Sequence, residues 1–311
     1  MAHRGPVLRG LCMRNGDAGR SRGGVGGGGK FVLPLMGNSV YDGSMVEGRR
    51  EGVGKHASPF GEYEGEFDNG VVNGSGRRTY SDGGSYKGEW RNGMKDGKGT
   101  QKFHDGDEFE GNFVLGKPHG VGRYRHRCGD EYEGQFQEGR REGHGVYKYA
   151  GKSGCNFVGN FVNNKMDGHG QLTFTDVGVE FVYSGEFKGG TQHGRGTLDA
   201  SNGVRYEGEF HHGKFHGTGV YFFADGSCYE GDFRDGKFHG DGTYSEVGKH
   251  GSPSMRETFV GKWKQGVRHG PGIAHLNYED GSREYLKGTW LEGVREGDFL
   301  HEHAWGRTTY E

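Results

Sequence analysis

Hydrophobic positions along this chain recur in a short fixed pattern. An aromatic residue opens each unit, Gly stands at position 3 and a second aromatic at position 5. Mostly acidic or polar residues lie between them. From Tyr63 to Ser85 the chain reads YEGEFDNGVVNGSGRRTYSDGGS, and from Tyr86 to Glu108 YKGEWRNGMKDGKGTQKFHDGDE. Further units begin at Phe109, Tyr132, Phe157, Tyr183, Tyr206, Tyr229 and Phe259, which makes nine well-formed units, most of 23 residues. A degenerate unit starts at Tyr41 and a truncated one at Leu286, so the array covers 41–299. An arm, 1–40, and a tail, 300–311, flank it.

Side chains alternate along a strand, so positions 1, 3 and 5 share one face and positions 2 and 4 the other. The pattern is that of a half-buried strand. Gly at position 8, replaced only by Asn164 in the nine good units, marks a tight turn. Gly recurs at 12 and 14 on a second strand, where a further aromatic often follows at 16 or 18, as at Tyr80, Phe103, Tyr124, Tyr147, Phe174 and Tyr244. Asp-Gly or Asn-Gly pairs such as Asp82-Gly83 and Asn202-Gly203 then turn the chain again. Each unit is therefore predicted to be one β-hairpin. A lone hairpin is marginal in water, so the units must stack. At ~4.8 Å per strand, ten hairpins span roughly 95 Å.

Composition sharpens this. Gly accounts for 68 of the 311 residues, about one in five against a usual ~7%. Only 30% of residues are hydrophobic, 13% are aromatic, and Ile273 is the single Ile. An aliphatic core is excluded, and aromatic rings lying over glycines are the expected substitute. Gly does not recur every third residue, which excludes collagen. The net charge of −2 argues against a disordered chain. Cys12, Cys128, Cys155 and Cys228 are far apart, with no disulfide framework or zinc-module spacing, which suits a reducing compartment. The longest apolar run, Phe31 to Met36, is broken by Pro34 and too short to span a bilayer as a helix. Arg4, Arg9 and Arg14 interrupt any secretory apolar region.

The pattern Y-E-G-E-F-x-x-G-x-x-x-G-x-G at a 23-residue spacing resembles the MORN (membrane occupation and recognition nexus) repeat. The resemblance implies an all-β fold: an elongated single-layer antiparallel sheet of stacked hairpins with an aromatic-lined groove. Departures are Asn164 for Gly, Leu286 for the first aromatic and Met45 at position 5 of the first unit. Small proteins built almost wholly of such repeats resemble ciliary and flagellar axoneme components such as radial-spoke heads. A cytoplasmic, axonemal or cytoskeletal scaffold is the expectation that follows.

No acid, base or nucleophile stands outside the repeat register, and no cofactor motif is convincing, so an enzyme is not expected. Gly24 to Lys30 matches GxxxxGK, but Phe31 replaces the hydroxyl residue and no strand is expected before it. His119, His193, His216, His239 and His269 recur at position 11. Without Cys partners or tight spacing they read as polar fillers rather than metal ligands.

Two binding surfaces remain. The first is an aromatic floor made by Tyr86, Trp90, Phe109, Phe113, Tyr132, Phe136, Phe157, Phe161, Tyr183, Phe187, Tyr206, Phe210, Tyr229 and Phe233. A single-layer sheet has no second layer to cover such a floor, and a helical segment of an axonemal or cytoskeletal subunit would fit it. Phe215 and Phe238 would add an exposed patch at the turn. The second is a basic row at positions 9 and 10, Lys95, Lys117, Arg140, Arg141, Lys165, Lys214, Lys237 and Arg268, which could meet anionic membrane lipid. The arm holds six Lys or Arg and one acid, +5, leaving −7 for the rest of a chain of net charge −2. An acidic ribbon is not drawn to nucleic acid, and only weakly to anionic lipid. Open edges at the ends of the sheet invite a homodimer.

Overall fold

The computed structural model describes residues 30–35, 38–151, 154–247 and 255–304. Among them are twenty-three strands in one antiparallel sheet. Each strand pairs with its neighbours in chain order, from Lys30–Leu35 against Ser39–Val46 to Arg283–Leu291 against Val294–Ala304. The expected stacked-hairpin architecture is what forms.

Two boundaries differ from the sequence reading. Residues 30–35, assigned to the arm, form an edge strand among the described residues; Pro34 is tolerated there because an edge strand leaves one side of its backbone without ladder bonds. The last strand runs to Ala304, so residues 300–304 belong to the sheet and the final unit is a full hairpin. Gly24 to Gly29 of the phosphate-loop match lie outside the described residues.

The turn inside each hairpin takes positive φ at positions 7 and 8, as at Asn69 (51°) and Gly70 (85°) or Glu138 (50°) and Gly139 (82°). Such two-residue turns match the right-handed twist of the flanking strands. Asn164 holds the same conformation at φ 70°, which Asn tolerates better than most residues. The position-8 amide also reaches the previous unit, as in Gly93 N–H to Val72 O (2.8 Å) and Gly116 N–H to Lys95 O (2.8 Å). These bonds fasten each hairpin to the one before it.

Just beyond position 3 the strand register slips, as between Gly134 and Phe136. The slip puts position 12 at positive φ, for example 72° at Gly143 and 99° at Gly97, a conformation suited to Gly. It also frees a backbone amide at position 13. The position-4 side chain accepts that bond: Ser75 N–H to Glu66 (3.0 Å), Arg195 N–H to Glu186 (3.0 Å) and Asp241 N–H to Asp232 (3.0 Å). The acidic row at position 4 is thus part of the fold and not a free charged surface.

The position-1 ring lies flat over the glycines at 3 and 14. A Cβ added at Gly134 would stand 2.5 Å from the Tyr132 hydroxyl and 2.5 Å from Gly145 Cα. Where the ring is Tyr, its hydroxyl donates to the position-4 carbonyl, at 3.0 Å for Tyr132 to Gln135 and 2.8 Å for Tyr183 to Glu186. The position-5 ring stands edge-on to the position-1 rings of its own unit and the unit before. Tyr132 meets Phe136 at 5.1 Å and Phe161 at 4.9 Å, with interplanar angles of 84° and 79°. Such contacts add about 0.5–1.5 kcal/mol each beyond area burial. They run unbroken from Tyr41 to Trp290 and make the core.

The last unit inverts this arrangement. Leu286 replaces the position-1 ring, and Phe299 stands at position 14 in place of Gly. The Phe299 ring lies over Gly288, where an added Cβ would meet it at 2.6 Å, and packs edge-on to Trp290 at 4.9 Å. The ring arrives from the opposite strand and fills the same slot.

Candidate functional site

The structure places all fourteen predicted floor aromatics inside the molecule, and none is more than 5% exposed. The expectation of an open floor at positions 1 and 5 is therefore corrected. The two ring rows cover each other, because their edge-on alternation leaves no face free, and further side chains lie on top of them.

Position 10 supplies the first cover. It pairs across the hairpin with position 5, as in Phe136 with Arg141 and Phe233 with Phe238, and so shares the ring face. Phe215 stacks on Tyr206 at 3.9 Å and 21°, and Phe238 on Tyr229 at 3.9 Å and 16°. They are half-buried lids, not the exposed turn patch that the sequence suggested. In other units the lid is a cation. The Arg268 guanidinium sits 4.4 Å from the Phe259 ring centre and binds Glu257 at 2.6 Å. The Arg141 guanidinium lies 5.6 Å from Tyr132, 5.1 Å from Tyr147 and 5.7 Å from Phe161.

Lys95 is enclosed by three rings. Its Nζ lies 5.3 Å from the Tyr86 ring, 5.7 Å from Tyr80 and 5.8 Å from Phe113, and donates to Gln101 Oε1 at 2.6 Å. Burial, assisted by the Arg78 charge, lowers its pKa to about 8. Burial likewise pushes the Tyr132 hydroxyl up to about 12, opposed in part by Arg141.

The basic row thus splits in two. Lys95, Arg141 and Arg268 fold onto the core rings. Position 9 pairs with position 6 on the opposite face, as in Arg140 with Gln137. Lys117, Arg140, Lys165, Lys214 and Lys237 are all exposed there. Lys117 lies 3.8 Å from Glu138, and Arg140 donates to Asn163 at 2.7 Å. Alternation along the strand could have separated positions 9 and 10 from the start.

The aromatic surface that solvent reaches is the next layer out, at positions 16 and 18. Tyr80, Phe103, Tyr124, Tyr147, Tyr221, Phe223 and Tyr244 are half-buried against the core rings, and Phe174 is half-buried against Phe181. Carboxylates before each hairpin fix some of them. Asp107 accepts from Tyr124 Oη at 2.7 Å and lies 3.1 Å from His126 Nδ1; Asp130 accepts from Tyr147 Oη at 2.9 Å. Burial would raise the Asp107 pKa, but its bonds to Tyr124, Arg127 and His126 prevail and hold it low. An open depression of about 200 Å³ beside Tyr124, His126, Tyr132 and Arg141 lies on this face. A larger furrow, about 600 Å³, crosses the opposite face above the paired glycines. Its walls mix charged side chains, Arg195, Glu207 and Glu230, with Val220 and glycine backbone.

The position-11 histidines do not gather as ligands. His193, His216 and His239 instead bury Nδ1 without a hydrogen-bond partner among the described residues. No helix among those residues is long and apolar enough to cross a membrane.

No curated protein matches the chain. The family model for the MORN repeat matches residues 41–59, 63–85, 86–108, 109–127, 132–153, 157–176, 183–205, 206–228, 229–245 and 259–276. The final hairpin, where Leu286 and Phe299 exchange roles, falls outside those matches although it completes the sheet. Repeats of this family generally serve as protein- or membrane-binding scaffold units rather than catalysts. With ten matched repeats spanning most of its length and the stacked-hairpin sheet they encode, the chain belongs to the MORN-repeat family.

Proposed function

We propose that this chain is a non-catalytic scaffold that holds a partner protein on the ring face of its sheet, within a ciliary or flagellar axonemal complex such as the radial spoke. One observation carries the binding surface. Every described strand lies in one sheet, and its half-buried outer aromatics have no second layer over them. Aromatic side chains in such a layer offer large contact area at little entropic cost, with the polar tips of Tyr124 and Tyr147 already oriented. The cations Lys95 and Arg141 among them favour a partner segment that brings carboxylates to an apolar stripe, in keeping with a helical segment of a neighbouring subunit. The axonemal setting rests on the resemblance to small proteins built almost wholly of these repeats. Lys30–Leu35 and Val294–Ala304, the edge strands among the described residues, support the homodimer alternative.

Endogenous tagging in ciliated cells tests the setting. The tag should follow the axoneme through detergent extraction; a tag lost with the soluble fraction contradicts it. The exposed position-9 cations support the second reading, contact with anionic lipid. Flotation with phosphoinositide vesicles at low salt, lost on charge reversal of Lys117, Arg140 and Lys165, would favour that reading. No flotation at low salt removes it.

A further inference from the structure

We propose that Glu284, His301 and His303 form a zinc-class metal site at the last hairpin of the sheet. The two histidines are two residues apart on the strand Val294–Ala304 and so share a face. Their rings lie 4.3 Å apart. In the neighbouring strand Arg283–Leu291, Glu284 stands directly across from His303, and Leu286 across from His301. The carboxylate is thereby brought between both imidazoles. Glu284 Oε2 is 3.1 Å from His301 Nε2, and Oε1 is 3.3 Å from His303 Nδ1. One donor atom from each residue falls within 4.8 Å of the other two.

That spacing suits a metal. Ligands held ~2.0–2.1 Å from a tetrahedral zinc stand roughly 3.4 Å from one another. Two imidazoles and one carboxylate form a donor set that zinc accepts while keeping a further position open. The side chains of His301 and His303 are 45% and 54% exposed, so the open position faces solvent.

Earlier units show what the same register looks like when it only braces the fold. Asp107 there meets one tyrosine and one histidine, and Asp130 meets Tyr147. A phenol satisfies the carboxylate as a hydrogen-bond donor. In the last unit both partners are imidazoles, each able to offer a lone pair, and no other group of three such ligands gathers among the described residues. The ion would tie together two adjacent strands, of which Val294–Ala304 has a ladder partner on one side alone among the described residues.

Calorimetric titration of the full chain with zinc chloride, and with cobalt(II) as a spectroscopic probe, tests this. One ion per chain should bind, with tetrahedral cobalt absorption. His301→Ala and His303→Ala should each weaken binding about tenfold or more, and the double variant should abolish the cobalt band. His211→Ala/His212→Ala, which removes two imidazoles whose rings lie 4.4 Å apart elsewhere on the sheet, should leave affinity unchanged; melting of the metal-free variants confirms that they fold. The proposal is overturned if the wild-type chain binds zinc no more tightly than the folded His301/His303 double variant, or if affinity follows His211 and His212 instead.

Discussion

Removing one core ring measures how far the ring-on-glycine packing sustains the fold. Phe157 is fully buried, lies over Gly159 and Gly170, and makes edge-on contacts with Phe161 at 5.2 Å and Phe187 at 4.9 Å. Burial of such a side chain is worth about 1.5–3 kcal/mol. Two edge-on contacts add about 0.5–1.5 kcal/mol each. Phe157→Ala should therefore cost about 3–5 kcal/mol, the range of buried Phe truncations. Phe174, half-buried and stacked at 5.2 Å on Phe181 away from the core rings, serves as the control; Phe174→Ala should cost about 1 kcal/mol, close to one such contact. In urea, with a slope of about 2 kcal/mol per molar, the core variant should move its midpoint by roughly 2 M and the control by roughly 0.5 M. Repeat arrays can unfold locally, so amide exchange across the Phe157 hairpin should fall with the midpoint. A core loss below about 1.5 kcal/mol, or equal losses for the two variants, would refute the packing account.

Two further outcomes follow from the same geometry. Gly134→Ala forces a Cβ to 2.5 Å from Gly145 Cα and 2.8 Å from the His144 carbonyl, whereas at Gly116, with φ 82°, no atom lies within 4 Å. Overpacking against backbone should cost about 3 kcal/mol at Gly134, and the left-handed conformation alone about 1 kcal/mol at Gly116; equal melting shifts would contradict this. Lys95, lowered to about 8 in the fold, returns to ~10.4 on unfolding. Between those values the unfolded chain holds a proton that the folded chain has shed, so wild-type stability should rise relative to Lys95→Met from pH 8 to 10. Parallel urea midpoints for the two proteins across that window would argue against an enclosed Lys95.

Much of this fold is legible in the sequence because its determinants are local and periodic. Tyr132, Gly134 and Phe136 announce a strand and its buried face, and Gly139 announces the turn. The site is less legible. Arg140 and Arg141 look alike as neighbouring turn cations, yet they lie on opposite faces, one exposed and one over Tyr132. Tyr132 reads as an open floor aromatic and Tyr147 only as a second-strand aromatic, yet Tyr132 lies over paired glycines, sealed by its neighbours, while Tyr147 lies in the half-buried layer above. The exchange of Leu286 and Phe299 hides the last unit from a pattern anchored on position 1. The role of Glu66 in accepting the Ser75 amide depends on a register slip that the hydrophobic pattern does not encode.

The binding face can be tested most directly with a photo-crosslinking amino acid placed in the full chain in ciliated cells. Tyr147 lies in the outer aromatic layer of the ring face, and Val158, 37% exposed, on the opposite face. A crosslinker at 147 should capture a protein partner and one at 158 should not. Capture at 158 alone, or at neither position, would contradict the account.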